Sequence, residues 1–201
     1  VFTKWRAVFR IDGDTLPSAQ AIHENAKRLA SYAKEIQMAG LVPILEPEVL
    51  YEREHSRQRA RAAIEEVMGA LFSTLEEHSV DLASIILKTS MALSGSESKK
   101  RDTPEEVAED TLAALLKSVP RQIAGVVFLS GGQTPDQATD NLSAICRSSR
   151  AKGGTIWPIT FSYLRALEEE ALAIWKGKEE NVPAARAAFL SRLAKVSSAL
   201  A

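Results

Sequence analysis

The chain has 201 residues, an apolar fraction of 45%, and 25 Lys and Arg against 26 Asp and Glu, for a net charge of -1. That balance removes the electrostatic case for nucleic acid or an anionic membrane surface, although local cations can still hold a small anion. No apolar run approaches the roughly 18 residues of a membrane span, and one cysteine, Cys146, excludes an intrachain disulfide and reads as a core residue in a helical pattern.

The chain opens with "VFTKWRAVFR", which has neither the continuous apolar region nor the cleavage site of a signal peptide. It starts abruptly in an apolar stretch, so it is expected to begin inside a larger fold. "WRAVFRI", bounded by "DGD", reads as the first strand. Residues 18–38 place Ala21, Ile22, Ala26, Leu29, Ala30, Ala33 and Ile36 at helical spacing. "LVPILEPEV" is a second strand, and residues 56–77 form a helix with Ala63, Ile64, Val67, Met68, Leu71 and Leu75 on one side. "ASIILKTSM" is a third strand, followed by the polar loop "SGSESKKRD". Thr103-Pro104-Glu105-Glu106 is a capping box opening a helix to about Lys117, and "AGVVFLSGG" is the fourth strand. Thr134-Pro135-Asp136-Gln137 is a second capping box, with its helix ending near Lys152-Gly153-Gly154. "TIWPITFSY" is the fifth strand, and helices near 165–175 and 182–198 close the chain on either side of Gly177. Trp157 and Trp175 read as core or interface residues. Five alternations of strand and helix imply a parallel sheet covered by helices.

Ionisable or polar groups stand where the apolar runs stop. Lys4 to Glu46, Glu46 to Lys88 and Lys88 to Ser130 are each 42 residues apart, and Arg165 follows 35 later. In a (β/α)8 barrel such positions converge on one face, whereas an open doubly wound sheet spreads them along a line. The spacing favours the barrel. Eight units of this period need about 330 residues, and typical barrels about 250. Five units are present, so three are expected to be missing from the front.

Lys88 at the end of "ASIIL" carries a specific chemistry. An amine attacks only when neutral, and free lysine is roughly 0.04% neutral at pH 7. Desolvation and a neighbouring cation, for which Lys4 is placed, both disfavour the ammonium form. A neutral Lys88 can form a Schiff base with a ketone, and Glu46 on the intervening strand can serve as the acid and base of dehydration. The residues alone leave this reading level with a buried ion network Lys4–Glu46–Lys88 that holds the strands together. In "LSGGQ", Ser130, Gly131 and Gly132 either cradle a phosphate or make a simple turn. Arg165, one strand on, supports the phosphate, and Arg6 could serve a second one or form a surface ion pair. His23, His55 and His78 lack metal-ligand spacing.

"KWRAVFRI", "GLVPILEPEVL", "ILKTSM", "TPEEVAEDT", "FLSGGQTPDQATDNLSAI", "WPITFSYLRAL" and "IWKGKEENV" together resemble class I fructose-bisphosphate aldolase, in order and over nearly the whole chain. The resemblance implies a (β/α)8 barrel, a cytoplasmic homotetramer with no metal or cofactor, and reversible cleavage of fructose 1,6-bisphosphate to dihydroxyacetone phosphate and glyceraldehyde 3-phosphate. It makes Lys88 the Schiff-base lysine, Glu46 the general acid/base, Lys4 the lysine beside it, and Glu48 a supporting glutamate. Ser130, Gly131 and Arg165 match positions that hold a substrate phosphate, and Arg6 matches an active-site arginine. It also implies that residues 1–201 are the C-terminal part of one barrel domain, strands four to eight. A family aspartate needed for carbon–carbon cleavage then lies on a strand this chain does not carry. The family's Pro-Asn after the lysine is Thr89-Ser90 here, its Glu-Gly-Thr before that strand is Ala83-Ser84-Ile85, its glycine before the phosphate arginine is Leu164, and its tail with a terminal tyrosine is absent. Two other readings follow from the residues: a non-catalytic half-barrel that binds or assembles, and a Schiff-base aldolase of another phosphosugar.

Overall fold

The computed structural model describes residues 1–154 and 156–201. Five strands, β1 (Phe2–Phe9), β2 (Val42–Val49), β3 (Ile86–Thr89), β4 (Gly125–Phe128) and β5 (Ile159–Phe161), form one sheet in the order β1-β2-β3-β4-β5. All neighbouring pairs are parallel. Between and after them run α1 (Ala19–Met38), α2 (Arg57–Glu77), α3 (Pro104–Ser118), α4 (Pro135–Ala151), α5 (Arg165–Trp175) and α6 (Val182–Ser198). A doubly wound sheet reverses its strand order at a switch point. This order never reverses, as expected for consecutive units of a barrel.

Each strand sends alternate side chains to opposite faces. One face meets the helices, where Leu45, Leu87, Val126 and Phe128 are almost wholly buried with the apolar stripes of α1 to α4. In α2, Ala63, Ile64, Val67, Met68, Leu71 and Leu75 are all buried. Cys146 and Trp157 are in the same core, whereas Trp175 is 42% exposed on the outer surface of α5. The other face carries Lys4, Arg6, Glu46, Glu48 and Lys88, and it is the face that matters for function.

Helix starts follow local chemistry. Ser18, Ser56, Thr103 and Thr134 each accept a hydrogen bond from a first-turn amide. Thr103 and Glu106 complete the reciprocal box, while at Thr134 the described bond is the one from Gln137 N to the hydroxyl. α5 differs, because its N-cap is Leu164 and no side chain caps it.

The first strand is Phe2–Phe9 rather than 5–11, and β3, β4 and β5 are shorter than their apolar runs. Asp81 caps a 3-10 turn at Leu82–Ser84, which removes "ASI" from the third strand. The fourth strand ends at Phe128, before the "LSGG" turn, and Thr155, the first residue of the expected fifth strand, lies outside the described residues. Among the described residues no helix is long and apolar enough to cross a membrane.

Candidate active site

The ends of all five strands open into one concavity of about 410 Å³, lined by Lys4, Arg6, Glu46, Glu48, Lys88, Leu129, Ser130, Gly131, Ser162, Leu164 and Arg165. Eight residues singled out from the sequence therefore share a single space: Lys4, Arg6, Glu46, Glu48, Lys88, Ser130, Gly131 and Arg165. Gly132 is not among the lining residues; at φ +76° it occupies the left-handed region, and a Cβ there would meet Tyr51 Cδ1 at 2.5 Å, so the turn and its packing on Tyr51 require glycine here. Gly131 does line the concavity, and a Cβ on it would come within 2.8 Å of Glu48 Oε1.

Glu46 is the centre of the arrangement. Lys88 Nζ lies 3.2 Å from Glu46 Oε1, and Lys4 Nζ lies 2.6 Å from Oε2. The side chains of Glu46, Lys88 and Lys4 are 5%, 14% and 41% exposed, so a carboxylate shielded by the strands joins a shielded amine to an open one. Glu46 Oε2 is buried without a hydrogen bond of acceptable angle, despite the proximity of Lys4.

The register explains who meets whom. Lys4 is level with Ile44 and Arg6 with Glu46, so each cation reaches diagonally to the carboxylate two residues further along β2: Lys4 to Glu46, and Arg6 Nε to Glu48 Oε2. Diagonal neighbours on one face lie about 7–8 Å apart at Cα, within reach of long side chains. Hydrogen bonding to Glu48 holds the Arg6 guanidinium further above its ordinary pKa. The equal 42-residue spacing is only partly the register. The offset is 40 residues from β1 to β2, 42 from β2 to β3 and 39 from β3 to β4. Only Glu46 and Lys88 are truly level, and Ser130 comes to the site on the loop beyond its strand because the ladders of barrel strands are staggered.

The opposite wall is built for an anion. Ser130 and Gly131 leave β4, and Arg165 begins α5, whose first-turn amides receive no capping side chain. A helix start with no capping side chain and a guanidinium beside it suits phosphate. Leu164 and Ser162 share this wall. Ser162 could have been read from sequence as the same-face neighbour of Thr160, but it sits in "TFSY" without an ionisable neighbour and carries no distinctive signal. Tyr163, in the same run, is buried and donates its hydroxyl to Ala138 O on the helix side. Among the described residues no group of three or more His, Cys, Asp and Glu side chains could hold a metal ion.

The family model for fructose-bisphosphate aldolase class-I matches residues 1–201. The cytosolic fructose-bisphosphate aldolase 4 of Arabidopsis thaliana is 47% identical over 98% of this chain and 49% of its own length. Fructose-bisphosphate aldolase B of Gallus gallus is 46% identical over 95% of this chain and 51% of its own. A solved structure of fructose-bisphosphate aldolase from Plasmodium falciparum, in a ternary complex with TRAP and a small-molecule inhibitor, superposes with a TM-score of 0.94 at 40% identity, covering 99% of this chain and 56% of that one. The chain spans about half the length of the curated relatives it matches. With its sequential parallel strands and five strand ends meeting in one charged concavity, the chain belongs to the class-I fructose-bisphosphate aldolase family.

Proposed function

We propose that this chain carries the imine-forming part of a class I aldolase that cleaves fructose 1,6-bisphosphate reversibly into dihydroxyacetone phosphate and glyceraldehyde 3-phosphate. In this reading residues 1–201 supply strands four to eight of a single barrel domain, and three further βα units complete it. The observation that carries the proposal is Glu46 held between two amines on flanking strands, 3.2 Å from Lys88 and 2.6 Å from Lys4.

Lys88, as the neutral amine, attacks the carbonyl carbon of the open-chain ketose, forming the C–N bond and sending the π electrons to oxygen. One proton passes from nitrogen to the alkoxide to give the carbinolamine; Glu46, holding the proton that Lys88 gave up to become neutral, delivers it to the hydroxyl, water leaves, and the nitrogen lone pair closes the iminium. The iminium then takes up the electron pair of the breaking carbon–carbon bond, which leaves an enamine on Lys88. The base that accepts the departing aldehyde's hydroxyl proton is assigned by the resemblance to a strand outside this chain. Lys4 stabilises negative charge on Glu46 and on the reacting oxygen from the open side of the pocket. Ser130, Gly131 and Arg165 hold one substrate phosphate, and Arg6, fixed by Glu48, meets the other. Relatives named as cytosolic support a cytoplasmic location. The homotetramer implied by the resemblance belongs to the same proposal, and light scattering tests it.

Incubation with fructose 1,6-bisphosphate and borohydride should add a stable mass to the peptide containing Lys88, and Lys88→Met should abolish it. Arg165→Ala should weaken phosphorylated ligands by about 10-fold or more, the value of a charge-assisted hydrogen bond, and plain sugars hardly at all. Labelling without turnover fits a chain that holds only part of the machinery. Absence of labelling, even when the missing units are supplied as a second polypeptide, would refute the proposal.

A further inference from the structure

We propose that Ser90 is a positioning residue: its hydroxyl ties the end of β3 to β2 and so sets the separation of Lys88 from Glu46. The inference rests on the imine reading above. Val42 N donates to Val1 O and Leu50 N donates to Phe9 O, so the even-numbered residues of β2 turn their backbone polar groups toward β1. Backbone groups alternate sides along a strand, so the odd-numbered residues face β3. Two of these are Pro43 and Pro47, which have no N–H to give. They bracket Ile44 and Leu45, the only β2 residues in register with β3. Eight residue pairs join β1 to β2, and four join β3 to β4.

The ladder between the two strands that carry the chemistry thus stops at Leu45 and Leu87, one residue short of Glu46 and Lys88. At the level of the site the sheet is split. Ser90 Oγ closes the split by donating to Val49 O at 2.9 Å in a buried bond. Val49 is the next β3-facing residue after Pro47, and the serine hydroxyl serves its carbonyl where no backbone ladder does, since Ala92 N is engaged by Thr111 Oγ1. Without it, the backbone at the end of β3 keeps its β4-side bonds, through the pairs Lys88–Val127 and Thr89–Phe128 and the bond from Leu129 N to Thr89 O, and its next described hydrogen bonds to the β2 side come only at Ser94–Ser96. Lys88 can then drift from Glu46, and a misplacement of about 1 Å costs on the order of 10²-fold in a reaction that depends on approach geometry.

The test compares Ser90→Thr with Ser90→Val, which have the same shape and differ in the hydroxyl. Alanine is the poorer probe, because a cavity of about 10 Å³ lined by Ser90, Val49 and Met91 lies beside the bond. That is room for about one water in place of the hydroxyl. The readout is the rate of borohydride trapping at Lys88 with dihydroxyacetone phosphate, across ketone concentration and pH, with melting temperature alongside. Ser90→Val should slow trapping at saturating ketone by about 10- to 100-fold while leaving half-saturation within about twofold, and Ser90→Thr should recover most of the rate. Equal trapping by folded Ser90→Val and Ser90→Thr would overturn the proposal. So would a Ser90→Val chain that fails to fold while Ser90→Thr folds and is trapped, since that outcome assigns the bond to stability alone. All chains are assayed with the missing units supplied as a second polypeptide, and if the unaltered chain is not trapped there, the imine reading itself fails, a result seen before any variant is compared.

Discussion

Glu46→Gln separates the two readings that the residues alone leave level, a structural ion network and an acid–base catalyst. The amide keeps the shape of the side chain and removes its charge and its proton-carrying ability. Glu46 is 5% exposed and lies 2.6 and 3.2 Å from two amines, so the change leaves both without their shared counter-charge. Removing one partner of a fully buried pair costs about 3–5 kcal/mol. Lys4 is 41% exposed and remains solvated, so the loss here should be nearer 1–3 kcal/mol, between surface and buried pairs. For a chain of this size that corresponds to a fall in Tm of roughly 2–12 °C. A lost general acid/base slows its step by about 10²–10⁴-fold. Single-turnover imine formation at Lys88, measured by borohydride quench on chain shown to be folded by circular dichroism, should fall by that factor. Trapping at the unaltered rate per folded molecule, together with a lowered Tm, would show that the carboxylate only holds strands together.

Four further variants have defined outcomes. Arg57 is buried and bonded to Asp110, with Asp102 at 3.1 Å and Glu106 at 3.2 Å, so Arg57→Met should cost about 3–5 kcal/mol in denaturant melts. Since Asp102 also accepts from Ser94 N at 2.6 Å, the loop 94–102 should lose amide-exchange protection first. Gly132→Ala puts a Cβ against Tyr51 at a left-handed φ and should cost about 1–3 kcal/mol in stability, whereas Gly131→Ala presses on Glu48 and should show mainly as weaker binding of phosphosugars by titration. Lys195 and Arg192 hold the Asp136 carboxyl at about 2, below its ordinary 3.8. The unfolded chain therefore binds this proton first as pH falls, so the contribution is full above about pH 4 and lost through about pH 2. Tm should drop between pH 5 and pH 2.5, and Arg192→Met combined with Lys195→Met should flatten that part of the profile.

Much of the architecture can be read from residues because it rests on local rules. The stripe Ala63, Ile64, Val67, Met68, Leu71 and Leu75 is buried as its periodicity requires, and the serine and threonine caps stand within a residue of the observed helix starts. Lys4, Glu46 and Lys88 are legible as a set because they recur at 42-residue intervals, with Glu46 and Lys88 each standing where an apolar run stops. Their relative heights are not, since stagger between strands depends on how loops close rather than on counting residues. The third strand looked longer because "ASIIL" is apolar throughout, yet the Asp81 side chain wins its first residues for a turn. A glycine pair fits a phosphate cradle or a simple turn equally well, and the packing of Gly132 against Tyr51 is a tertiary contact that local sequence does not carry. The Ser90 bond is invisible in sequence, because its meaning comes from two prolines on a neighbouring strand.

The free margin of β1 has a bearing on the chemistry. Among the described residues β1 pairs on one side only, and Phe2, Trp5 and Val8 are exposed along it. Lys4 stands on this same strand and is the wettest member of the reacting trio. Any segment that docks beside β1 would therefore do more than finish a sheet: it would wring solvent from one lysine, deepen the polarity felt by Glu46, and make the reactivity of Lys88 answer to the closure of the barrel wall.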